Sequence, residues 1–567
     1  MRLPLPILAL PLLCPACART EGHEAAGPVA WDPCGRGDSY RVTLGRVDPG
    51  RAHQVSRWYG RSQHEIAGPA PAILGDTRSA LLTSVPSEIR VPVETGADAL
   101  RFRSAILVRP DPGGRPRSDR TRIRAEVRFL GPDGPQVLAR EEIPADDHRW
   151  RPIEAELPAG RPGELLLRLT VGGARAAGEL AAAWAEPLLV RSRQSRPPAA
   201  HPDVLLVVAD TFRADALADA PGLSALLRRG ALWPRAVAPS NWTLPSFASI
   251  LTARDPAEHG AGRAPTPEGR PGGRDYRAVR PGLPTLAEAF ADAGYATALV
   301  HANPFLEPWT GLDRGFGRYV RVRDDTAAAL DAAGAWWRRN ADRPRFLLLQ
   351  LMAPHLPYDP PGREDLPPDP LAERDAAAFL AGDPLPEERA RFFALQEAER
   401  TAVIRRYRAE VEEMDRLLAP WLERLLSTDR QPLFAFAGDH GEELWDEGSF
   451  EHGHTFADAV ARVPLAVVAP GIPTAVHDEA PGVHWLGPTL LRLAGIEPPP
   501  GWEHDLRRPS GSTTCTCALY RGAGAGRRFD VLSGESTPLP PEEAVAGTGP
   551  AGRLPEEVDR ALRELGY

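Results

Sequence analysis

The sequence predicts a doubly wound α/β domain preceded by an antiparallel β-sandwich. Two patterns support this prediction. Between about residues 28 and 190, short segments alternate apolar and polar residues and are separated by Gly, Pro and Asp clusters, as in antiparallel sheets. From residue 203 onward, longer apolar runs alternate with helical patterns, as in parallel sheets buried on both faces. We therefore expect two units joined by a short linker.

The composition excludes several classes of protein. The chain has 567 residues, of which 43% are hydrophobic and 25% charged, values typical of globular proteins rather than disordered or fibrous ones. Its formal net charge of -9 indicates no basic surface for nucleic acid or an anionic membrane. The sequence contains no lysine, so every fixed positive charge is an arginine. Any mechanism that requires a lysine is therefore excluded.

The first 18 residues have the pattern of a signal peptide. One arginine precedes an apolar run from Leu3 to Leu13, which is too short to cross a membrane, and small residues follow around Cys17. Two processing routes remain open: cleavage after Ala18, or cleavage before Cys17 with lipid attachment to that cysteine. Both predict export to the periplasm or cell envelope, and the second adds a lipid tether to the membrane.

Export permits disulfide bonds. Cys34, Cys515 and Cys517 remain after processing, so one bridge from Cys34 to either of the other two is open. A metal site is the alternative, and it is disfavoured because no nearby histidine or fourth cysteine lies at zinc-finger spacing.

Residues 27–192 are predicted to form the β-sandwich. Trp150 and Trp184 are expected to pack in its core. The pattern is similar to that of jelly-roll modules of the carbohydrate-binding type, which leaves a binding role and a spacer role open. Residues 193–202 are expected to be a linker, because their charges and prolines fit neither a strand nor a helix. The clearest strand segments are 88–93, 100–108, 122–130, 136–143 and 164–171.

After the linker, the chain is predicted to form a doubly wound mixed sheet with helices on both faces, in which the apolar runs are of the kind found in parallel strands. Apolar runs at 201–210, 295–303, 345–355, 432–440 and 463–471 are typical of buried strands, and residues 284–294 and 326–339 are typical of helices. Ligands bind such sheets at the carboxyl ends of the strands. Each polar residue there has an ordinary structural explanation by itself, but together they indicate a site on one rim. These residues are Asp210, Asn303, His355, Asp439 and His440.

Several motifs in this half of the chain occur in the order found in one family. They are VLLVVADTFRADAL, SNWTLPSFASILTARDPAEHG, LPTLAEAFADAGYATALV, LLQLMAPHLPYDPP, FAGDHGEELWDEGSFEHGHTFADAVARVPLAVVAPG and HWLGPTLLRLAGI. Together they resemble the sulfatase branch of the alkaline phosphatase superfamily from about residue 200 to the end of the chain. The resemblance implies a large central sheet flanked by helices over residues 203–505 and a small C-terminal subdomain over residues 506–567.

The resemblance also implies a metal site and a nucleophile. Asp210 and Asp439 correspond to carboxylate ligands of a divalent metal ion, and His440 to the ligand beside the second. Thr243 stands where the family keeps its nucleophile, which also binds the metal. A threonine hydroxyl is nearly inert at neutral pH, but a divalent cation activates it. Pro245 suits the first turn of a helix, which places Thr243 near the N-terminal cap, where backbone N–H groups favour an anion.

The nucleophile segment departs from the family pattern. Sulfatases of this branch have a cysteine there, with Pro two and Arg four residues later, and convert the cysteine to formylglycine. This chain has Thr243, Pro245 and Phe247. Formylglycine cannot be made from threonine, and a sulfo-threonine lacks the hydrate that expels sulfate, whereas water can attack a phospho-threonine in line. The segment therefore favours phosphate chemistry without formylglycine.

Both substrate-binding lysines of the family are replaced as well. Asn303 lies in the segment that carries the first lysine, and Gly453 stands in place of the second. Imidazoles can donate to anionic oxygens, so we expect histidines to substitute for the lysines. We predict His355 and His454 as catalytic residues, and His452 and Asn303 as substrate-binding residues.

The metal-binding set differs from the family pattern at one position. Thr211 replaces a further aspartate, which leaves Asp210, Asp439, His440 and Thr243 for one ion. This mixed set suits Mn or Zn at least as well as Ca or Mg, and a second metal ion remains open. Elsewhere, Arg213 and Asp215 are expected to form a structural salt bridge. A solvated face is expected for Glu442, Glu443 and Glu451.

These observations predict an exported, metal-dependent hydrolase that cleaves a phosphate mono- or diester or a sulfate ester through a covalent Thr243 intermediate, with phosphate favoured. The substrate is expected to be an anionic ester and not a nucleic acid. Two alternatives remain open. One is a transferase that passes the phosphoryl-linked group to an alcohol, which requires an acceptor pocket beside Thr243. The other is an inactive binding protein, against which the joint presence of the four metal-site residues argues.

Overall fold

A computed structural model of the chain covers the β-sandwich, the α/β domain and part of the C-terminal region. The predicted signal peptide, most of the predicted linker, Cys34 and Cys515 lie outside the described residues, as does the side chain of Cys517. The described residues are 32–33, 39–41, 52–60, 73–94, 100–108, 121–145, 147, 149–172, 181–191, 201–263, 276–341, 343–374, 379, 386–507, 516–520, 526–530, 536–538 and 551–552.

The N-terminal region is an antiparallel β-sandwich, as predicted. Its strands are β1 (Asp32–Pro33), β2 (Ser39–Arg41), β3 (Ala52–Gly60), β4 (Ile73–Ser84), β5 (Ser87–Glu94), β6 (Leu100–Val108), β7 (Arg122–Gly131), β8 (Gly134–Pro144), β9 (Arg151–Glu156), β10 (Pro162–Gly172) and β11 (Ala181–Arg191). One sheet has the order β5-β10-β7-β8, and β6, β9 and β11 belong to the other. Apolar residues of both sheets meet in a core that contains Phe102 and Trp184, and Trp150 is buried in an adjacent cluster. The predicted packing of both tryptophans is confirmed.

The α/β domain follows with alternating strands and helices. Its strands are β12 (Val204–Ala209), β13 (Ala231–Val237), β14 (Gly262–Arg263), β15 (Tyr276–Arg277), β16 (Ala296–His301), β17 (Arg318–Val322), β18 (Arg345–Leu351), β19 (Leu433–Gly438), β20 (Glu443–Leu444), β21 (Phe450–Glu451), β22 (Arg462–Val468) and β23 (Ala475–Val476). Its helices are α1 (Pro221–Leu227), α2 (Thr243–Thr252), α3 (Pro256–His259), α4 (Leu286–Asp292), α5 (Thr326–Arg339), α6 (Pro386–Phe392), α7 (Glu397–Leu426), α8 (Asp458–Ala461) and α9 (Leu486–Leu493).

The centre of this domain is buried on both faces of its sheet. Alternate residues of β12 enter two separate apolar cores: Leu205 and Val207 enter one, and Leu206 and Val208 enter the other. Helices α5 and α7 cover the first face, whereas α2, α4 and α9 cover the second. Burial on both faces explains why these strands are continuous apolar runs rather than alternating ones.

Strand register fixes the position of the predicted rim. Strands β17, β16, β18, β12 and β19 run parallel in that order, and β22 is antiparallel to β19 and β13. Ala209, the last residue of β12, pairs with Leu351 of β18 and with Gly438 of β19. The residues that follow Ala209 and Gly438 are Asp210 and Asp439, which therefore leave the sheet side by side.

A single sheet runs through both parts of the chain. Strand β4 of the sandwich pairs antiparallel with β17, at the edge of the parallel strands. The junction contains Asp76, whose carboxylate accepts four hydrogen bonds, two each from Arg78 and Arg318, at 2.7 to 3.1 Å. Burial alone would raise the pKa of Asp76, but the two arginines outweigh burial and hold the pKa well below its usual range. The β-sandwich is thus joined to the α/β domain by backbone pairing and a buried ion cluster.

The described C-terminal residues form β24 (Thr516–Tyr520), β25 (Gly526–Asp530) and β26 (Ser536–Pro538) in one antiparallel sheet, and β27 (Ala551–Gly552), which pairs with β15. A helix of the length and apolar character that a bilayer crossing requires does not occur within the described ranges.

We predict that Asp76→Asn lowers the free energy of unfolding by about 3 kcal/mol, because it removes the buried carboxylate that pairs with two half-buried guanidinium groups. The folded-state pKa of Asp76 is depressed, so its contribution is present above the unfolded-state pKa of about 4 and is lost as pH falls through the folded value. Urea unfolding followed by tryptophan fluorescence at neutral and acidic pH measures both effects.

The matched control is Asp133→Asn, because Asp133 forms an exposed ion pair with Arg161. We expect it to change stability by less than about 1 kcal/mol. Equal losses for the two variants would contradict a special role for the junction.

Candidate active site

Two buried carboxylates form the centre of the site. Asp210 follows β12 and Asp439 follows β19, and neither residue is accessible to solvent. One oxygen of each is occupied: Asp210 Oδ2 accepts from Asn303 Nδ2 at 2.8 Å, and Asp439 Oδ1 accepts from the backbone N–H of His440 at 2.8 Å and of Thr211 at 3.2 Å. The other oxygens, Asp210 Oδ1 and Asp439 Oδ2, are buried and accept no hydrogen bond from the described residues.

His440 completes a group of three ligand atoms. Its Nδ1–H donates to the carbonyl oxygen of Gly441 at 2.9 Å, which leaves Nε2 as the acceptor nitrogen. Nε2 lies 3.6 Å from Asp210 Oδ1 and 3.5 Å from Asp439 Oδ2. Within the described residues, Asp210, Asp439 and His440 offer ligand atoms that all lie within 4.8 Å of one another. The two carboxylate oxygens without donors and the imidazole nitrogen therefore fit a divalent cation.

The electrostatics of this group also favour a cation. Burial raises the pKa of Asp439 well above its usual range, and the neighbouring Asp210 raises it further. Burial likewise raises the pKa of Asp210. Burial lowers the pKa of His440 well below its usual range, so its imidazole is neutral and its lone pair is available for a metal. Two anionic carboxylates in one dry site repel each other unless a positive charge lies between them.

Thr243 lies beside this group at the start of α2. Its Oγ1 is 3.4 Å from His440 Nε2 and accepts a long hydrogen bond from Asn303 Nδ2, also at 3.4 Å. Thr243 is the first helical residue, one position inside the N-cap, which is Trp242. The prediction that Thr243 lies near the cap is confirmed. Because Thr243 is fully buried, the hydroxyl faces the carboxylates and His440 instead of bulk water.

The side chain of Asn303 is held in one orientation by the backbone two residues further along the chain. Its Oδ1 accepts from the N–H of Phe305 at 2.9 Å, so its NH₂ group points to Asp210 and Thr243. Gln350 of β18, which was not predicted as a site residue, supports this arrangement. Gln350 Oε1 accepts from the N–H of Ala302 at 2.9 Å, and Nε2 donates to Asp210 Oδ2 at 3.2 Å. The sequence pattern that could have predicted Gln350 is a single polar residue near the carboxyl end of the apolar run RFLLLQL.

His355 and His452 lie next to each other above the metal-binding group. Their ring centroids are 5.2 Å apart, and the ring of His452 is 4.5 Å from that of His440. His452 Nδ1 donates to Glu442 Oε1 at 2.9 Å, and Glu442 Oε2 accepts from the hydroxyl of Tyr358 at 2.9 Å. Burial lowers the pKa of His452, but Glu442 and Glu451 outweigh burial and raise it to about 9. Burial lowers the pKa of His355 to about 3.

His454 lies close by but uses both ring nitrogens within its own segment. Its Nδ1 donates to the carbonyl oxygen of His452 at 2.9 Å, and its Nε2 accepts from the hydroxyl of Ser449 at 2.7 Å. Burial lowers the pKa of His454 to about 4, so the ring is neutral at pH 7. His355, His452 and His454 thus lie close to one another near His440. Their catalytic or substrate-binding roles stay predictions.

The glutamates of this region were predicted wrongly. Glu442 and Glu443 are fully buried and Glu451 is 7% exposed, so they form no solvated face. Each has a partner: Glu442 binds His452 and Tyr358, Glu443 accepts from two backbone N–H groups of the turn that follows it, and Glu451 pairs with Arg389. A run of charged residues in a sequence suggests exposure to solvent. Here the partners that stabilise the buried carboxylates lie elsewhere in the chain, so the local sequence does not reveal them.

The predicted salt bridge between Arg213 and Asp215, which follow β12, is confirmed. Arg213 Nε binds Asp215 at 2.8 Å, and the same guanidinium binds Asp446 at 2.7 Å. Tyr407 of α7 completes the support, because its hydroxyl donates to the carbonyl oxygen of Thr211 at 2.8 Å. Thr211 has a positive φ of 53°, a strained conformation that directs its N–H toward Asp439. These contacts fix the loop that carries Asp210.

Comparison with known proteins gives a consistent result. The family model described as Sulfatase matches residues 202–496, just over half of the chain. Among solved structures, a phosphonate monoester hydrolase from Silicibacter pomeroyi is 21% identical (TM-score 0.43; 59% of this chain and 88% of that one covered). One from Agrobacterium radiobacter is 19% identical (0.42; 60% and 88%), and a 2-O GAG sulfatase is 16% identical (0.45; 60% and 85%). A search of curated protein sequences gave no match.

We predict that Asp439→Asn lowers the affinity for a divalent metal at least about 100-fold, because changes in residues that merely support ligands already cost 10- to 100-fold. Metal analysis of the purified variant and titration with Mn and Zn measure the loss. Asp458→Asn is the control, since Asp458 pairs with Arg235 on the surface. Unchanged metal content in Asp439→Asn would contradict the assigned site.

Proposed function

Since the chain belongs to the sulfatase family and is a sulfatase-like hydrolase of sulfate or phosphate esters, we propose that it cleaves a phosphate mono- or diester through a covalent Thr243 intermediate. The observation that carries this proposal is the position of Thr243 Oγ1, 3.4 Å from His440 Nε2 and buried beside the carboxylates of Asp210 and Asp439. A cation held by Asp210, Asp439 and His440 would lie next to this hydroxyl, and the start of α2 favours an anionic phosphoryl group.

Phosphate is favoured over sulfate by the residues on α2. Thr243 cannot become formylglycine, and Phe247, which stands where the family has its arginine, is fully buried in the apolar core behind the site. Nothing at these two positions therefore supplies the aldehyde hydrate that expels sulfate. A phospho-threonine needs only water for its second step, so the same site that forms it can also hydrolyse it.

The metal ion would be held by Asp210, Asp439, His440 and Thr243, and when bound it supplies positive charge for hydroxyl activation and for the phosphoryl oxygens. The protein residues do the remaining work. Asn303 donates to Thr243 Oγ1 and fixes the direction of the hydroxyl for attack at phosphorus. Thr243 releases its hydroxyl proton to water, and its oxygen forms a bond to phosphorus as the bond to the leaving alcohol breaks.

Histidines take the place of the family's lysines in binding the phosphoryl group. We assign this role to His355 and His452, whose rings lie beside the metal-binding group. His452, whose pKa is raised to about 9, delivers a proton to the leaving oxygen. Water then attacks the phospho-threonine, the bond between phosphorus and the Thr243 oxygen breaks, and the protons of the water return to His452 and Thr243. His454, whose two nitrogens are occupied by Ser449 and His452, is better placed to orient its neighbours. Export, with or without a lipid at Cys17, completes the proposal and places the substrate outside the cytoplasm.

We predict that Thr243→Ala lowers kcat per metal-loaded molecule at least about 10³-fold, because it removes the attacking oxygen. Thr243→Ser keeps a hydroxyl and should retain measurable turnover. Thr252→Ala is the matched control, since Thr252 is a buried threonine at the other end of α2 that bonds only to the backbone of Ala248. Turnover that survives in Thr243→Ala would remove the nucleophile from the mechanism.

We further predict that the metal-loaded protein hydrolyses an aryl phosphate, phosphodiester or phosphonate faster than the aryl sulfate with the same leaving group. Initial rates with matched nitrophenyl esters under each of Mn, Zn, Ca and Mg measure the ratio. Faster sulfate hydrolysis would contradict the phosphate preference. No turnover of any ester with any metal would favour the inactive binding protein.

A further inference from the structure

His452, which lies beside the metal-binding group, and His454 are carried by a short hairpin. We call residues 442–454 the histidine hairpin: it contains β20 and β21, paired through Glu443 with Glu451 and Leu444 with Phe450. Its two ends are joined by the hydrogen bond between Glu442 and His452 at 2.9 Å. Each strand has only two residues, so backbone pairing alone holds the hairpin weakly.

The hairpin is also strained. Trp445 has a φ of 64° and Glu451 a φ of 71°, both in the left-handed region that non-glycine residues seldom adopt. Each such residue costs on the order of 1 to 3 kcal/mol and persists only when its surroundings hold it. Glu451 immediately precedes His452, so its backbone conformation sets the direction in which that imidazole enters the site.

Helix α6 holds this strained segment from outside. The guanidinium of Arg389 binds Glu451 Oε2, and both residues are buried, at 6% and 7% exposed. Just after the helix, the carbonyl oxygen of Phe393 accepts from Trp445 Nε1 at 3.1 Å, and the Phe393 ring packs 4.7 Å from that of Phe450. The contacts thus reach both strained residues of the hairpin, one through charge and one through an indole hydrogen bond.

The ion pair also keeps Glu451 from disturbing the neighbouring imidazoles. Glu451 Oε2 lies 3.9 Å from His454 Nδ1, the same nitrogen that donates to the carbonyl oxygen of His452. Without Arg389, a buried and unpaired carboxylate would compete for that proton, because a buried charge without a partner is costly. The bond between His454 and the His452 carbonyl would then be lost.

We propose that Arg389 is a positioning residue of the active site, which acts through Glu451 to hold His452 and His454 in place. The proposal rests on the proposed function for its catalytic consequence, although the brace itself is a structural claim. It assigns a role to the segment 359–400, in which no sequence motif is recognisable. It also explains why a buried arginine is present there in a chain without lysine.

The test uses the full-length, metal-loaded protein and the variants Arg389→Gln, Glu451→Gln and the double variant. The control is Arg391→Gln, which changes an exposed arginine two residues further along the same helix. Two readouts are taken: kcat and KM for an aryl phosphate per metal-loaded molecule, and hydrogen–deuterium exchange of residues 443–453.

We expect Arg389→Gln to lower kcat at least about 10-fold with a smaller change in KM, because the imidazoles act mainly on the transition state. Glu451→Gln should have a similar effect, and the double variant should be no worse than either single one, as for residues that act as a unit. Arg389→Lys should recover part of the loss. Exchange in the hairpin should rise in Arg389→Gln and remain unchanged in Arg391→Gln.

Three results would overturn the proposal: unchanged hairpin exchange in Arg389→Gln, an unchanged kcat per metal-loaded molecule, or losses that multiply in the double variant. If the wild-type protein hydrolyses no ester at all, the proposed function fails instead. The exchange measurement still decides whether Arg389 braces the hairpin, because it does not depend on turnover.

Discussion

The placement of two carboxylates in a dry site is the constraint on which the rest of the structure depends. The register of β12 with β19 makes Asp210 and Asp439 neighbours at the end of a sheet that is buried on both faces. Each carboxylate uses one oxygen for protein donors and leaves the other without a hydrogen-bond partner among the described residues. Both carboxylates can be ionised together only with a cation between them, because burial otherwise favours their protonated forms. The strained backbone at Thr211 and the fixed orientation of the Asn303 amide each direct a donor to one carboxylate oxygen. The other oxygen of each carboxylate stays available for a cation.

The same constraint determines what Thr243 can do. A buried threonine at the start of a helix ordinarily satisfies a backbone N–H. Here Thr243 is the first helical residue rather than the cap, and its Oγ1 lies 3.4 Å from both His440 Nε2 and Asn303 Nδ2. Phe247, which replaces the family's arginine, lies in the apolar core. This replacement fits a site in which the unmodified threonine side chain of Thr243 acts and no formylglycine is needed.

The sequence predicted the parts of the fold that depend on local periodicity. Every predicted strand of the β-sandwich and of the central sheet is a strand, because alternation and continuous apolar runs reflect burial on one or both faces. The run at 463–471, interpreted as a parallel strand, is the antiparallel strand β22, because an apolar run indicates burial and not direction. Asp210, Asp439 and His440 were identifiable because they end such runs. Gln350 was missed because one polar residue in an apolar run has no periodic signature. The pairing of Glu451 with Arg389, 62 residues away, and the addition of β4 to the edge of the sheet depend on long-range packing that local patterns do not contain.

The most direct test of the central claim is to trap the covalent intermediate. The metal-loaded protein is mixed with an aryl phosphate, quenched in acid during turnover, digested and examined by tandem mass spectrometry. The account predicts one phosphoryl group on Thr243, in the peptide that contains TLPSF, and none in the Thr243→Ala protein. A phosphoryl group on another side chain, or rapid turnover with Thr243 never modified, would contradict it.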